Sequence, residues 1–446
     1  MNYENIKSVL LTLSVIMSLV LTWSIWTYQP NYGVIEKTKF IQDVNIGLKK
    51  EPTSLILPQK ILFHKNDHHY GTANGTDMKN MMRNIRAWNF NDFRDITASI
   101  RDEYLDFLYE QEGVEVIFPS EIPIETLKGI LKIEDDEIRS VTFDRLLIPA
   151  MQSQQENSVA YFISYKNNQV YEAKLNNFSY QDFNREIFQT APRYPQYFAY
   201  KTDIYHSFFL PVDMVKADRI TYYSVKLAGK DFKNALFTDP SYVKQDFQES
   251  GGESYSDGSR ALKIDSSGDY MRYINPSTDS DQQVISASKM IQKSVDFVND
   301  HSGWTDTYQF TEWDSSSKSA VFRLHINGLP VYNYSGLSRM ILTWGETGLF
   351  DIYKRPLFRL QVTIESESSV VELPSGQTLI DLLRQTPSFD PLKLEDVKIG
   401  YEMIKDHSNA KVTVEPIWIV KLDGDWKKIV MDDDLRELGG NLIGLE

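Results

Sequence analysis

One stretch, Ser8 to Tyr32, constrains this chain more than any other. No formal charge falls between Lys7 and Glu36, and the centre reads Val9-Leu10-Leu11-Thr12-Leu13-Ser14-Val15-Ile16-Met17-Ser18-Leu19-Val20-Leu21. A bilayer core requires roughly 20 predominantly apolar residues in a helix, because every backbone group must be satisfied within the segment. The pattern therefore predicts a transmembrane anchor helix over 8–32. Trp23, Trp26, Tyr28 and Tyr32 sit at its headgroup end, and Pro30 stops it. The competing reading is a cleaved signal peptide, whose apolar region is shorter and ends in a small-x-small site. The nearest approach to such a site is Thr22-Trp23-Ser24, and the first alanine of the chain is Ala73, so retention is expected. Charge does not set the orientation, since Glu4 and Lys7 precede the span while Lys37, Lys39, Lys49 and Lys50 follow it. Bulk does: a long remainder crosses largely regardless of charge, which places residues 1–7 in the cytoplasm and the rest outside the cell membrane.

Beyond the anchor, the length predicts two to four domains. With 25 Tyr, 23 Phe and 8 Trp there is ample material for packed cores. The net charge of −15 argues against nucleic-acid binding, which needs a basic surface. The chain has no cysteine, which removes disulfides, thiol catalysis and Cys-ligated zinc together.

Periodicity and turn chemistry predict a mixed α/β (α+β) exterior. After a tether over 33–57, an N-terminal domain over 58–192 begins with a strand at Lys60–His64 and a polar loop at Asn66–Thr76. Helices follow from Asp77 and over Asp95–Glu110, then a strand at Val114–Phe118 and a short helix from Pro123. A hairpin pairs Val159–Tyr165 with Val170–Leu175, and Ser179 caps a helix. A middle domain over 193–304 opens with aromatic strands, has a helix from Asp239-Pro240 and a hairpin over 262–274, and closes with an amphipathic helix at Ser286–Asn299. A C-terminal domain over 305–446 has strands at Tyr308–Trp313, Ala320–Ile326 and Leu357–Ile364, and a hairpin at 420–430. The two hairpins, Leu262-Lys263-Ile264-Asp265 and Val420-Lys421-Leu422-Asp423 with their Gly-containing turns, form a weak internal repeat. It predicts a shared fold for the middle and C-terminal domains.

Chemistry is hard to place. His64 and His68 are four apart with His69 beside them, but they straddle a strand end and a loop, and no H-E-x-x-H accompanies them. His206 and His325 read as structural. Asp265-x-Ser267-Gly268-Asp269 fails as a calcium loop because its sixth and twelfth positions hold Tyr270 and Pro276. The runs Glu134–Glu137 and Asp432–Asp434 read as solvated turns. Nucleophile-elbow, Walker and dinucleotide motifs are absent from the sequence. No catalytic residue, cofactor or metal site is expected.

Several blocks together resemble a known family: the anchor, Phe237-Thr238-Asp239-Pro240, Ser254-Tyr255-Ser256-Asp257-Gly258-Ser259-Arg260, Tyr273-Ile274-Asn275-Pro276 and Trp344-Gly345-Glu346. Over essentially its full length the chain resembles the YycH family, membrane-anchored accessory regulators of the essential cell-wall (WalK/YycG-type) sensor histidine kinase. The Ser-Asp-Gly-Ser-Arg block also resembles the companion YycI family. The resemblance implies a three-domain extracytoplasmic protein without catalysis, partnered by a YycI-like membrane-anchored protein and by the sensor histidine kinase, with the anchor taking part. Within the anchor, small residues allow close helix approach, which points to Ser14, Ser18 and Leu21, with Ser8, as the contact face. The alternatives from other classes are an exported cell-envelope enzyme with an unrecognised acidic site, and an extracytoplasmic ligand- or peptide-binding inhibitor.

Overall fold

The computed structural model describes residues 3–27, 46–100, 104–109, 111–135, 137–138, 140–150, 158–203, 206–249, 251–276, 286–345, 350–386, 389–406, 408–430 and 441–445. Residues 1–41 form one unit and residues 42–446 another. In the first, helix α1 (Tyr3–Thr27) is 25 residues long and begins five residues before the expected span. Among the described residues no helix is long and apolar enough to cross a membrane. The expected stop at Pro30, with Tyr28, Tyr32 and most of the tether, lies outside the described residues.

The second unit begins with a strap. Leu48 and Trp304 exchange backbone hydrogen bonds of 3.0 and 2.8 Å, and the Asn299 side chain holds Lys50 through two bonds of 2.9 Å. A short helix, α2 (Pro52–Leu55), follows, and Leu55, Ile56 and Leu57 are buried. The described part of the expected tether is thus folded. Its three consecutive apolar residues are core, too few to show a period.

Then come β1 (Lys60–Lys65), β2 (His68–Thr72), α3 (Gly75–Ile85), β3 (Asn89–Asp95), α4 (Thr97–Ile100), α5 (Tyr104–Tyr109), β4 (Gly113–Pro123), α6 (Ile124–Lys128), β5 (Lys132–Ile133), β6 (Thr142–Pro149), β7 (Ser158–Ser164), β8 (Gln169–Asn176), α7 (Tyr180–Glu186), β9 (Gln196–Lys201) and β10 (Ser207–Pro211). These ten strands make one sheet in the order β10-β9-β2-β1-β4-β6-β7-β8-β3-β5. Helix α3 forms as its sequence dictates: the Asn74 side chain accepts from Thr76 N–H, and Met78, Met81, Met82 and Ile85 bury one stripe. The polar stretch expected as a loop over 66–76 contains β2. Asn66 and Asp67 adopt φ of 51° and 59°, the two left-handed residues of a tight hairpin turn. The single helix expected over 95–110 is instead the end of β3 followed by α4 and α5. An irregularity at Asp92 (φ 52°) breaks the alternation of β3, which hid the strand.

The remaining elements are β11 (Val215–Lys226), α8 (Gly229–Leu236), β12 (Lys244–Phe247), β13 (Glu253–Ser256), β14 (Ala261–Ile264), β15 (Tyr270–Ile274), α9 (Ala287–His301), β16 (Tyr308–Asp314), β17 (Ser319–Ile326), β18 (Leu329–Tyr332), β19 (Arg339–Trp344), β20 (Phe350–Pro356), β21 (Phe358–Thr363), β22 (Ser369–Leu373), α10 (Gly376–Gln385), β23 (Leu394–Asp406), β24 (Lys411–Leu422), β25 (Asp425–Val430) and β26 (Asn441–Gly444). They build a second sheet of sixteen strands, whose two halves join where β18 runs parallel to β23. Pairing does not follow the divisions at 192 and 304. Strands β9 and β10 extend the first sheet through β2, and β11 pairs with β21, β22 and β24. Alternation identifies a strand but not its neighbour.

The helix expected at Asp239-Pro240 is one 3₁₀ turn held by the Asp239 carboxylate on Ser241 N–H at 3.0 Å. The helix itself is α8, just before it, burying Phe232, Ala235 and Leu236. The same succession recurs after α10, where Asp390 accepts from Leu392 N–H at 3.0 Å and Pro391 opens another single turn. The two hairpins that look alike in sequence close differently. Asp265 wraps a longer loop, accepting from Asp269 and Tyr270 N–H, while Asp423 and Gly424 (φ 54° and 84°) make a two-residue turn.

Candidate functional site

Ser14 and Ser18 lie one turn apart on α1, with Leu21 three residues further, so the three share a face. The Ser14 hydroxyl donates to the Leu10 carbonyl at 3.0 Å, and Thr12 and Thr22 donate to the carbonyls of Ser8 and Ser18 at 2.8 Å. These bonds satisfy the Thr12, Ser14 and Thr22 hydroxyls within the helix, and Leu10, Leu13 and Leu21 are among the exposed apolar groups. The face combines small residues with one leucine.

In the second unit the sequence-singled histidines separate. Strand alternation sends His68 to solvent and His69 inward, where its Nδ1 meets the Nδ1 of buried His64 at 2.8 Å. His64 Nε2 lies 3.4 Å from Glu115 Oε2, and Glu115 Oε1 accepts from Arg145 Nη1 at 2.7 Å. The guanidinium lies 3.3 Å over the Tyr165 ring and donates to the Tyr109 hydroxyl at 3.0 Å. Burial opposes the Glu115 charge, but Arg145 and His64 overcome it and hold the carboxyl down at about 2. For His69, burial first and then the neighbouring His64 push the imidazole down to about 4. Asp144 goes the other way, raised to about 6 by burial against the pull of Arg145. Among the described residues no group of three or more side chains has the placement to hold a metal ion.

His206 pairs with Asp203 at 2.9 Å at the edge of this cluster, and buried His325 donates from Nδ1 to the Arg323 carbonyl at 3.0 Å. In the first acidic run, Asp135 accepts from three backbone N–H groups and Glu134 from Asn89, so these carboxylates build a turn. The run 432–434 lies outside the described residues. Sequence reasoning missed Glu115 and Arg145. The signal was there: Glu115 is a lone charge inside Val114-Glu115-Val116, and the charged pair Asp144-Arg145 interrupts an otherwise apolar strand between Phe143 and Leu146.

The two sheets meet along a charged seam. Lys398 pairs with Asp396 at 2.8 Å, reaches Gln59 at 3.2 Å and lies 4.1 Å over the Trp426 ring. Lys60 donates to the Phe209 carbonyl at 3.2 Å, and burial lowers its ammonium to about 8. Cavities open along this seam: one of about 420 Å³ beside Arg145 and Asp396, one of about 240 Å³ between Tyr197 and Trp418, and a polar one of about 730 Å³ between α3 and β16–β17. The seam's buried charges are engaged with one another, an arrangement that fixes how two sheets meet.

Comparison with known proteins places the chain. The model of the YycH protein N-terminal domain matches residues 4–191 and that of the YycH protein C-terminal domain residues 205–434. The two-component system WalR/WalK regulatory protein YycH of Bacillus subtilis (strain 168) is 24% identical, with 99% of each chain covered. The crystal structure of YycH from Bacillus subtilis superposes with a TM-score of 0.74 at 20% identity, covering 88% of this chain and 100% of that one. With one family model covering more than half the chain and a second most of the rest, the chain belongs to the YycH family.

Proposed function

We propose that this protein is a membrane-anchored, non-enzymatic regulator of a two-component sensor histidine kinase controlling cell-wall metabolism. It acts through transmembrane and extracytoplasmic contacts, together with a YycI-like partner. The observation that carries the reading is membership of a family in which a relative matched end to end is a WalR/WalK regulatory protein. The anchor is supported by the 25 residues of α1 and by the uncharged sequence from Ser8 to Ile35. Its internally satisfied hydroxyls lower the cost of entering lipid. Residues 1–7 lie in the cytoplasm, and the bulk of the chain lies outside. The repeated helix and Asp-Pro turn support a common ancestry for the two segments that carry them.

Ser14, Ser18 and Leu21 are the helix face offered to the kinase or its partner, where small residues let backbones approach. Differential contact with two kinase states shifts their populations, so no chemistry is required of the regulator. The test replaces residues 1–35 with an unrelated single-span anchor and reads kinase-dependent reporter output and membrane pull-down of the kinase. Loss of both, with the exterior still folded and displayed, is the expected result. Survival of both reduces the anchor to an address. Output unchanged on deletion of the whole protein overturns the regulator reading.

A further inference from the structure

The polar cavity of about 730 Å³ falls within the range of ligand sites, about 300–1,000 Å³, and its lining is specific in kind. Its ionic groups balance, Lys79 and Lys216 against Asp218 and Asp306. The N-terminus of α3 reaches it already capped, since Asn74 Oδ1 accepts from Thr76 and Asp77 N–H at 2.8 and 3.4 Å. Nothing there selects an ion of either sign. Half of the other lining residues carry amides, hydroxyls or phenols, among them Gln309, Gln361, Tyr222 and Tyr401.

Two lining residues, Gln309 and His325, are buried with hydrogen-bonding capacity left over. Gln309 is 7% exposed, and its strand pairing uses only its backbone. His325 is 4% exposed and donates from Nδ1 to the Arg323 carbonyl, so neutral imidazole presents Nε2 as an acceptor. Burial lowers this imidazole to about 3, which keeps it neutral. Gln309 and His325 stand on adjacent antiparallel strands, where the His325 N–H donates to the Thr307 carbonyl at 2.8 Å. A buried polar group without a partner is costly, and such groups at a cavity wall mark where a ligand's complementary groups belong.

We propose that this cleft binds an uncharged saccharide of a few rings. Sugars offer many hydroxyls that both donate and accept, matching Gln309, Gln361 and the His325 acceptor, and they carry apolar ring faces that stack on aromatics such as Tyr222. The proposal stands independently of the regulatory reading.

The test uses the full chain in a detergent without a sugar headgroup, lauryldimethylamine oxide, with calorimetric titration of chitotriose and maltotriose. The expected result is saturable binding of at least one of them, weakened tenfold or more by Gln309→Ala and by Tyr222→Ala. Gln309 is in the core, so Thr307→Trp gives a second arm: its exposed side chain lies at the mouth, and the bulky ring blocks entry with the melting temperature retained. Failure of both sugars to bind saturably overturns the proposal. So does binding that survives Thr307→Trp, or saturable binding of trialanine or inorganic phosphate in place of the sugars.

Discussion

Glu115 ties Arg145 and His64 together inside the first sheet. Glu115→Ala leaves the Arg145 guanidinium, 8% exposed, without its 2.7 Å partner, and leaves His64 beside an emptied site. Breaking a buried ion pair from one side costs about 3–5 kcal/mol, because the remaining charge stays desolvated. Titration gives a second measure. A carboxyl held at about 2 instead of 4.5 corresponds to roughly 3–4 kcal/mol at about 1.4 kcal/mol per pH unit. Since the folded value lies below the unfolded one, this contribution is full above pH 4.5 and is lost as pH falls toward 2. The assay is urea denaturation followed by near-ultraviolet circular dichroism, which Tyr109 and Tyr165 beside the pair report. Glu115→Ala is expected to lower stability by about 3–5 kcal/mol at pH 7, and its deficit relative to the parent to shrink on acidification. The double variant Glu115→Leu/Arg145→Met removes both charges and recovers most of the loss. A single-variant loss under about 1 kcal/mol, or a double variant no better than the single, would show that the pair is not the desolvated contact described.

Two further outcomes follow from turn and titration chemistry. Gly328 (φ +90°) and Gly424 (φ +84°) sit in similar turns, but a Cβ on Gly328 lands 2.4 Å from Gly75 N and 2.6 Å from Ala73 O, while one on Gly424 meets nothing within 4 Å. Gly424→Ala should cost only the left-handed strain, about 1–2 kcal/mol, whereas Gly328→Ala should cost more and raise hydrogen exchange over residues 73–77. Equal losses by denaturant titration would refute the close approach. In NMR titrations the His325 ring should stay neutral until the pH nears 3, and the His69 ring until about 4. Both folded values lie below that of an unfolded histidine, so stability falls as the pH drops from 6.5 toward them, and a ring that titrates near 6.5 refutes its assigned burial.

Much of the fold was legible where local chemistry acts alone. Helix α9 was read to within two residues because Ser286 caps it and Met290, Ile291, Val295 and Val298 keep one stripe. The hairpins at 158–176 and 261–274 declared themselves by alternation and turn residues. What was not legible is decided by contacts distant in sequence. That β9 and β10 complete the first sheet, and that β11 pairs with strands almost 200 residues later, leaves no local trace. Strand β2 hid behind polar residues because its partners, not its own side chains, bury it. For the site the balance is similar. The Ser14, Ser18 and Leu21 face follows from helical geometry alone, whereas the Glu115–Arg145 pair needs β4 and β6 side by side, and the saccharide cleft needs β16 and β17 placed against α3.

The strap at 46–50 bears on the proposal that α1 anchors the chain and takes part in signalling. By sequence, the chain leaving α1 enters the second unit here, and it docks on the end of α9 ahead of β1. Asn299 holds the junction with three bonds of 2.9 Å: Lys50 N–H and Trp304 Nε1–H to its Oδ1, and its own Nδ2 to the Lys50 carbonyl. Gly47 and Gly303 approach so closely that a Cβ on Gly303 lies 2.4 Å from the Gly47 carbonyl carbon. This join ties the strap to α9, and α9 in turn reaches the first sheet's α6 through Thr126 Oγ1 and Ser288 Oγ at 2.9 Å. Asn299→Ala removes all three bonds at once, at roughly 1–3 kcal/mol for each buried group left unpaired. The expected result is faster proteolysis near residue 50 and reduced reporter output, with pull-down of the kinase retained, because recognition and transmission are then separated. Loosening of the strap with full output would show that the anchor and the exterior domains act without this mechanical link.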